Sequence, residues 1–132
     1  MSYRALSLAQ EIMAEPRPAR ILVVDDDIPL RRAICRGLEK CGHVVDTADD
    51  GLTGWQLIQA ANPQYDLVIT DSRMPRIPGR VLIAMVRERF PDLRVLRVSG
   101  DVGNDPVPEG VLTLGKPFSL EELGRAVALA LA

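Results

Sequence analysis

Residues 21–27, Ile-Leu-Val-Val-Asp-Asp-Asp, place an unbroken apolar run directly before three carboxylates. A short continuous apolar run is typical of a strand that is covered on both faces of a parallel sheet. Pro29 then stands where the first turn of a helix accepts it, and apolar residues follow at helical spacing from Leu30 to Leu38. The stretch therefore predicts a buried strand that passes directly into a helix.

The alternation of strand and helix continues along the chain. Further strands are predicted at 43–48, 67–71, 95–98 and 111–114. Helices are predicted after the first, second, third and fifth of these strands, and the third helix has Val81, Leu82, Met85 and Val86 on its apolar side. Such an alternation implies an α/β domain with a parallel sheet and right-handed crossovers.

Three of the predicted helices begin at side chains that can cap them. Asp26 or Asp27 can cap the first helix, and Asp50 can cap the second. Ser119 and Glu122 have the spacing of a capping box at the start of the last helix.

Composition sets limits on the class of protein. The 132 residues fit one domain, with 47% hydrophobic residues, 26% charged residues and a net charge of −2. Lys and Arg are scattered, so no direct nucleic-acid contact is expected. No apolar run approaches the roughly 20 residues that span a bilayer, and the N-terminus lacks a signal-peptide pattern. The sequence predicts a cytoplasmic protein without membrane insertion.

Residues 1–19 differ from the remainder, which we expect to form one domain over residues 20–132. Leu6, Ala9 and Met13 could form one stripe of a short helix, and the segment ends in Pro16-Arg17-Pro18. Two interpretations stay open for this extension, a frayed tail or a helix that docks or forms a homodimer.

Polar residues stand at the carboxyl ends of four predicted strands. Asp25 and Asp26 follow the first strand, Asp71 the third, Ser99 the fourth and Lys116 the fifth. Open parallel sheets bind their ligands beyond these strand ends, at the point where the strand order reverses. The five side chains are therefore expected to converge on one rim of the sheet.

The chemistry of these side chains points to a metal and a phosphoryl group. Clustered carboxylates suit Mg²⁺, and a carboxylate such as Asp71 can attack phosphorus to give an acyl phosphate. Lys116 could neutralise charge on the transferring group, and the Ser99 hydroxyl could bond a phosphoryl oxygen. Taken singly, Asp26 could be a helix cap, Lys116 a solvated lysine and Ser99 part of a turn.

Four segments together resemble the receiver domains of two-component response regulators, in the stand-alone form typified by chemotaxis regulators. They are Val23-Val24-Asp25-Asp26-Asp27, Asp71-Ser72-Arg73-Met74-Pro75 with Gly79, Val98-Ser99-Gly100 and Lys116-Pro117-Phe118. The resemblance covers residues 20–132, and the motifs stand in the order that the family has. It implies a flavodoxin-like sheet of five parallel strands in the order 2-1-3-4-5, with helices on both faces.

The resemblance also implies a function. Asp71 would accept a phosphoryl group from a histidine kinase or a histidine phosphotransfer protein, and the chain would then act on a downstream protein target. Such a domain is a regulator that assists its own phosphotransfer and dephosphorylation, not an enzyme in the ordinary sense. The implied site consists of Mg²⁺ held by Asp25, Asp26, Asp71 and the backbone carbonyl of Arg73, a switch hydroxyl on Ser99, a phosphate-binding Lys116 and a cis Lys116–Pro117 bond.

Two departures from the family concern how the signal leaves the domain. Only 16 residues separate Ser99 from Lys116, and they include Gly103, Pro106, Pro108 and Gly110. The helix that the family places between its fourth and fifth strands is therefore expected to be missing or reduced to a turn. The family's aromatic residue three positions before the lysine is replaced by Thr113. The activation signal is expected to travel through the loop at 99–110.

Three single residues carry expectations of their own. Arg97 lies in a strand that should be buried, so we expect the missing helix to leave its face open to solvent. His43 is expected at the surface without a role. Arg73 stands at the mouth of the site, where it could tune the removal of the phosphoryl group by water or the docking of a partner.

Other functions remain as alternatives. The first is a receiver-like module that binds protein without phosphorylation. The second is a haloacid-dehalogenase-type phosphatase, since Asp25 and Asp27 match its nucleophile motif, although only Glu121-Glu122 could supply its second acidic pair. A dinucleotide-binding module is weaker, because the first strand–helix turn has no glycine-rich loop. With no segment left for an output domain, a stand-alone receiver and a piece of a longer protein are both consistent with the sequence.

Overall fold

A computed structural model of the protein describes residues 18–104, 106 and 108–132. The extension expected at residues 1–19 falls almost wholly outside them. The strands are β1 (Arg20–Val24), β2 (Val44–Ala48), β3 (Leu67–Asp71), β4 (Arg94–Ser99) and β5 (Leu112–Gly115). The helices are α1 (Ile28–Lys40), α2 (Gly51–Ala60), α3 (Gly79–Arg89) and α4 (Leu120–Leu131).

The five strands form one parallel sheet in the order β2-β1-β3-β4-β5. This confirms the fold class and the strand order expected from the sequence. The chain moves outward from β1 to β2 and then returns to build β3, β4 and β5 on the other side of β1. The strand order therefore reverses between β1 and β3, which puts a crevice at the carboxyl ends of these two strands.

The apolar run of β1 is continuous because both faces of the sheet are covered. Ile21 and Val23 pack into one core, whereas Leu22 and Val24 pack into the other, and all four are 1% exposed or less. Helices α1 and α4 cover the first face with Ile34, Leu38, Leu123 and Val127. Helices α2 and α3 cover the second face with Trp55, Ile58, Leu82 and Val86. Burying each large apolar side chain stabilises the fold by about 1.5–3 kcal/mol before the entropy cost of ordering it.

The helix caps form as the sequence predicts. Asp27, not Asp26, caps α1, since its carboxylate accepts a hydrogen bond from the backbone N–H of Leu30. Asp50 accepts from the N–H of Thr53 in the same way. Ser119 and Glu122 form the complete capping box, with two bonds of 3.1 Å. These caps fix where α1, α2 and α4 begin relative to the rim of the sheet.

The connection between β4 and β5 contains no helix in the residues that the structure describes there, 100–104, 106 and 108–111. Turns occupy it instead, with the N–H of Asn104 donating to the carbonyl of Asp101 and that of Val111 to Pro108. The expected loss of a helix at this place is confirmed for those residues.

Arg97 is buried, so the expectation that its face lies open to solvent is wrong. The residue is only 1% exposed. Its Nε donates to Thr113 Oγ1 (3.2 Å) and its Nη1 donates to the carbonyl of Pro106 (2.9 Å). The neighbouring strand β5 supplies the hydroxyl of Thr113, and the β4–β5 connection supplies the carbonyl of Pro106. These polar partners explain how a buried guanidinium is tolerated. Arg97 thereby holds the connection that replaces a helix.

Replacing Arg97 with Met should lower the free energy of unfolding by about 1–3 kcal/mol, because the carbonyl of Pro106 and the hydroxyl of Thr113 lose a charged donor. Met retains most of the apolar stem, so little packing is lost. Urea unfolding followed by Trp55 fluorescence measures the change. Arg125→Met, at an exposed position of α4, is the control and should stay within about 0.5 kcal/mol of the parent. Equal stability of the two variants would contradict a structural role for Arg97.

Two other side chains are placed differently from the sequence prediction. His43 is 6% exposed, and its Nδ1 accepts a hydrogen bond from the N–H of Ala19. Burial lowers the pKa of His43 below its ordinary value and so favours the neutral imidazole. In α3, Val81 is 40% exposed and Ile83 is buried. The buried stripe of this helix is therefore rotated from the predicted one.

Among the described residues, none of the helices has the combination of length and apolar character that crossing a bilayer requires.

Candidate functional site

The predicted site residues lie along one edge of the sheet. Asp25 directly follows β1, Asp71 ends β3, Ser99 ends β4 and Lys116 directly follows β5. The register aligns these ends, since Asp71 stands opposite Val98, and Ser99 opposite Gly115. The structure therefore brings together, on one rim, the side chains that the sequence analysis selected.

Three carboxylates form an acidic cluster beside β1 and β3. One oxygen each from Asp25, Asp26 and Asp71 lies within 4.8 Å of the others. Asp25 and Asp71 are buried and Asp26 is exposed. The backbone N–H of Asp27 donates to Asp25 Oδ1 (2.9 Å) and orients that carboxylate. Oxygen ligands at this density, open to solvent on one side, suit a magnesium ion that retains several waters.

The position of Asp27 weakens the phosphatase alternative. A nucleophile motif built on Asp25 and Asp27 needs both carboxylates at the site, but the Asp27 carboxylate caps α1 at Leu30. Among the described residues, the acidic cluster contains Asp25, Asp26 and Asp71 and not Asp27.

Burial raises the pKa of Asp25, and the nearby carboxylate of Asp71 raises it further. The hydrogen bond from the Asp27 backbone and the charge of Lys116 act in the opposite direction. Low exposure and a neighbouring like charge thus make the ionised form of Asp25 costly unless a cation lies nearby.

Lys116 spans the two buried carboxylates. Its Nζ lies 3.3 Å from Asp71 Oδ2 and 3.8 Å from Asp25 Oδ2. Its backbone N–H donates to the carbonyl of Ser99 (2.8 Å), which ties the end of β5 to the end of β4. The Lys116–Pro117 bond is cis, as the resemblance implied. The ammonium is therefore fixed where a group attached to Asp71 would meet it.

Ser72 belongs to the site, although the sequence analysis gave it no role. Its backbone N–H donates to Asp71 Oδ1 (2.8 Å), and its hydroxyl donates to Ser99 Oγ (3.2 Å). The N–H of Asp101 also donates to Ser99 Oγ (3.1 Å). A single serine after a candidate nucleophile has no sequence signal of its own, because its contacts depend on how β4 lies beside β3.

Gly79 fixes the loop that follows Asp71. A Cβ atom at this position would lie 1.8 Å from the carbonyl oxygen of Asp71 and 2.9 Å from the Cα of Ser72. The N–H of Gly79 donates to the carbonyl of Ser72 (3.1 Å). The start of α3 can approach the end of β3 this closely only because residue 79 has no side chain.

A small cavity opens from the rim over Asp71. It has a volume of about 280 Å³, and its lining includes Asp71, Ser72, Ser99 and Lys116. Arg73 stands at its mouth with 72% of its side chain exposed, and its guanidinium pairs with Asp101 Oδ2 at 3.1 Å. The cavity places a carboxylate, an ammonium group and a buried hydroxyl around one space.

Comparison with known proteins agrees with this architecture. The family model described as "Response regulator receiver domain" matches residues 21–128. The response regulator receiver protein CpdR of Brucella abortus is 31% identical over 109 residues, which cover 79% of this chain and 89% of CpdR. The probable transcriptional regulatory protein SilR of Salmonella typhimurium is 38% identical over 115 residues, 79% of this chain. The chain spans about half (47%) of the length of SilR.

Solved structures of other proteins share this fold. The crystal structure of a response regulator receiver domain protein from Clostridium thermocellum superposes with a TM-score of 0.78 at 30% identity, covering 86% of this chain and 94% of that one. Chemotaxis response regulator CheY4 of Vibrio cholerae has a TM-score of 0.74 at 27% identity, covering 86% and 98%. With its sheet order, its acidic cluster and the family match over residues 21–128, the chain belongs to the response regulator receiver domain family.

Proposed function

We propose that the chain takes a phosphoryl group from a histidine kinase or a histidine phosphotransfer protein onto Asp71. The observation that carries this proposal is the position of the Asp71 carboxylate, which is buried beside Lys116, Ser72 and the carboxylates of Asp25 and Asp26. The change of charge on Asp71 then alters the surface that the chain presents to a downstream protein.

The transfer is a displacement at phosphorus. A carboxylate oxygen of Asp71 forms the new P–O bond, while the P–N bond to the donor imidazole breaks and its electron pair returns to the ring nitrogen. Lys116 stabilises the negative charge on the phosphoryl oxygens. Asp25, Asp26, Asp71 and the backbone carbonyl of Arg73 would hold Mg²⁺, and the ion would neutralise charge on the phosphoryl group.

Ser99 is the residue through which we expect the phosphoryl group to act on the rest of the chain. Its hydroxyl now takes part in hydrogen bonds with Ser72 and with the N–H of Asp101. If it turns towards a phosphoryl oxygen on Asp71, those bonds must rearrange. Asp101 is the second residue of the connection from β4 to β5, so the rearrangement reaches that connection. Thr113 stands where the family has an aromatic residue, and its hydroxyl accepts a hydrogen bond from Arg97. Because the aromatic residue is missing, we expect the rearrangement around Ser99 to be transmitted through the β4–β5 connection.

The direct test is intact mass after incubation with acetyl phosphate and Mg²⁺. One phosphoryl adduct per chain, lost when a chelator removes the metal, is the expected result. Absence of an adduct under conditions in which Mg²⁺ still binds would support the alternative of a receiver-like module that binds its partners without phosphorylation.

Replacing Arg73 with Ala should speed the loss of the phosphoryl group about twofold to fivefold, because the exposed Arg73–Asp101 pair covers the mouth of the cavity and its loss admits water. The decay of the phosphorylated chain, followed by intact mass after the donor is removed, measures the rate. Arg125→Ala, on an exposed face of α4, is the control. An unchanged decay rate would show that Arg73 is only a solvent-facing loop arginine.

A further inference from the structure

A second and larger cleft adjoins the phosphoacceptor cavity. It lies between the β3–α3 loop and the connection from β4 to β5, and its volume is about 580 Å³. Half of the described lining residues are apolar: Met74, Pro78, Pro106 and Pro108. Pro106 and Pro108 reach this place because Arg97 holds the carbonyl of Pro106. The hydrogen bond between Arg97 and Pro106 therefore holds one wall of the cleft.

The rim of the cleft is positively charged. Arg73 and Arg80 line it together with the buried Arg97, and no described lining residue is acidic. Arg80 is exposed and makes no ion pair with any other residue in the described ranges. Arg73 pairs with Asp101 yet leaves 72% of its side chain exposed. The rim thus has guanidinium groups that can take up further carboxylates.

We propose that this cleft docks a short segment of a partner protein in which acidic side chains flank an apolar one. The apolar side chain would pack against Met74 and the prolines, and the acidic ones would pair with Arg73 and Arg80. The volume lies in the range of clefts that hold a few residues or a small molecule. The positive rim selects for the charge of the segment more than it adds affinity.

The cleft and the phosphoacceptor cavity share Ser72 and Arg73 as lining residues. A segment that draws Arg73 away from Asp101 changes the mouth of the phosphoacceptor cavity, and phosphorylation changes the cleft in return. This coupling rests on the proposed function of Asp71, whereas the docking itself does not require a phosphoryl group. Docking in the cleft and phosphorylation of Asp71 can therefore be disproved independently of each other.

The test uses the unphosphorylated full chain and a blocked pentapeptide, Glu-Glu-Leu-Glu-Glu, in a titration followed by amide chemical shifts. Expected are saturable shifts that centre on Met74, Arg73 and Arg80. The charge-reversed peptide, with Lys in place of Glu, should give none of them. Absence of shifts with the acidic peptide, or equal shifts with both peptides, would overturn the proposal.

Matched variants assign the binding to the rim. Arg80→Glu should weaken binding of the acidic peptide about threefold to tenfold, as expected for reversing one exposed charge. Arg89→Glu makes the same change at the far end of the same helix, where the residue is exposed and does not line the cleft, and should leave binding unchanged. An equal loss in both variants would overturn the assignment to the cleft.

The same titration distinguishes two other ligands that could bind the cleft. A short oligothymidylate that shifts the same amides as strongly as the acidic peptide would overturn a protein segment as the ligand and favour nucleic acid. Shifts of these amides on raising the concentration of the chain alone would favour a second copy of the chain and likewise overturn the proposal. Neither shift is expected.

Discussion

Replacing Asp71 with Asn should abolish the phosphoryl adduct that the parent chain forms with acetyl phosphate and Mg²⁺. An amide oxygen is a far weaker nucleophile than a carboxylate, and the acyl phosphate cannot form on it. The variant should fold normally, because Asn has nearly the same shape and its amide oxygen can still accept the hydrogen bond from the N–H of Ser72. Intact mass measures the adduct, and far-ultraviolet circular dichroism checks the fold.

The matched control is Asp92→Asn. Asp92 is exposed and precedes β4, so it lies at the opposite edge of the sheet from the acidic cluster. This variant should form the adduct as fully as the parent chain. If Asp71→Asn also retained the adduct at full stoichiometry, the acceptor would be another residue and the proposed role of Asp71 would be wrong.

Replacing Gly79 with Ala should cost about 2–4 kcal/mol of unfolding free energy, at the upper end of what overpacking produces. The added Cβ would lie 1.8 Å from the carbonyl oxygen of Asp71, and this neighbour is backbone in a buried strand. Either α3 or the end of β3 must move. The rate of adduct formation should fall as well, since the same movement displaces Asp71 from Lys116. Thermal or urea unfolding measures the first effect, and intact mass the second.

A Gly-to-Ala substitution in α4 should instead raise the free energy of unfolding. A Cβ at Gly124 has no atom within 4 Å, and the position lies inside a helix. Gly124→Ala should therefore raise the unfolding free energy by about 0.5–1 kcal/mol, the usual advantage of Ala over Gly in a helix. If both variants were equally destabilised, close packing at Gly79 would not be the cause.

Most of the fold could be predicted because its signals are local. The apolar run that ends at Asp71 marks a strand, and Ser119 with Glu122 marks a helix start. The described residues between β4 and β5 form no helix, and this could be predicted from Pro106 and Pro108, which interrupt any helical period. The buried side of α3 could not be predicted from periodicity, since Val81 and Ile83 are both apolar and only packing decides which one is buried.

Within the site, the residues that could be predicted from the sequence are those at the carboxyl ends of the strands. Parallel strands bring Asp25, Asp71 and Lys116 to one rim whatever the details of the loops. The burial of Arg97 could not be predicted, because one of its partners is a loop carbonyl nine residues away. His43 was missed for the same reason, since its partner is an N–H 24 residues away. Contacts of this kind depend on tertiary structure, which sequence periodicity does not encode.

The pinned connection between β4 and β5 has a consequence for protein engineering. Its ends are set by strands that pair with each other, Ser99 opposite Gly115 and Leu96 opposite Leu112. Between these ends, the guanidinium of Arg97 donates a hydrogen bond to the carbonyl of Pro106. A foreign loop of similar length could be grafted here if it keeps a carbonyl within reach of that guanidinium. The sheet and Asp71 would stay in place, and the graft would give the same receiver a new recognition specificity.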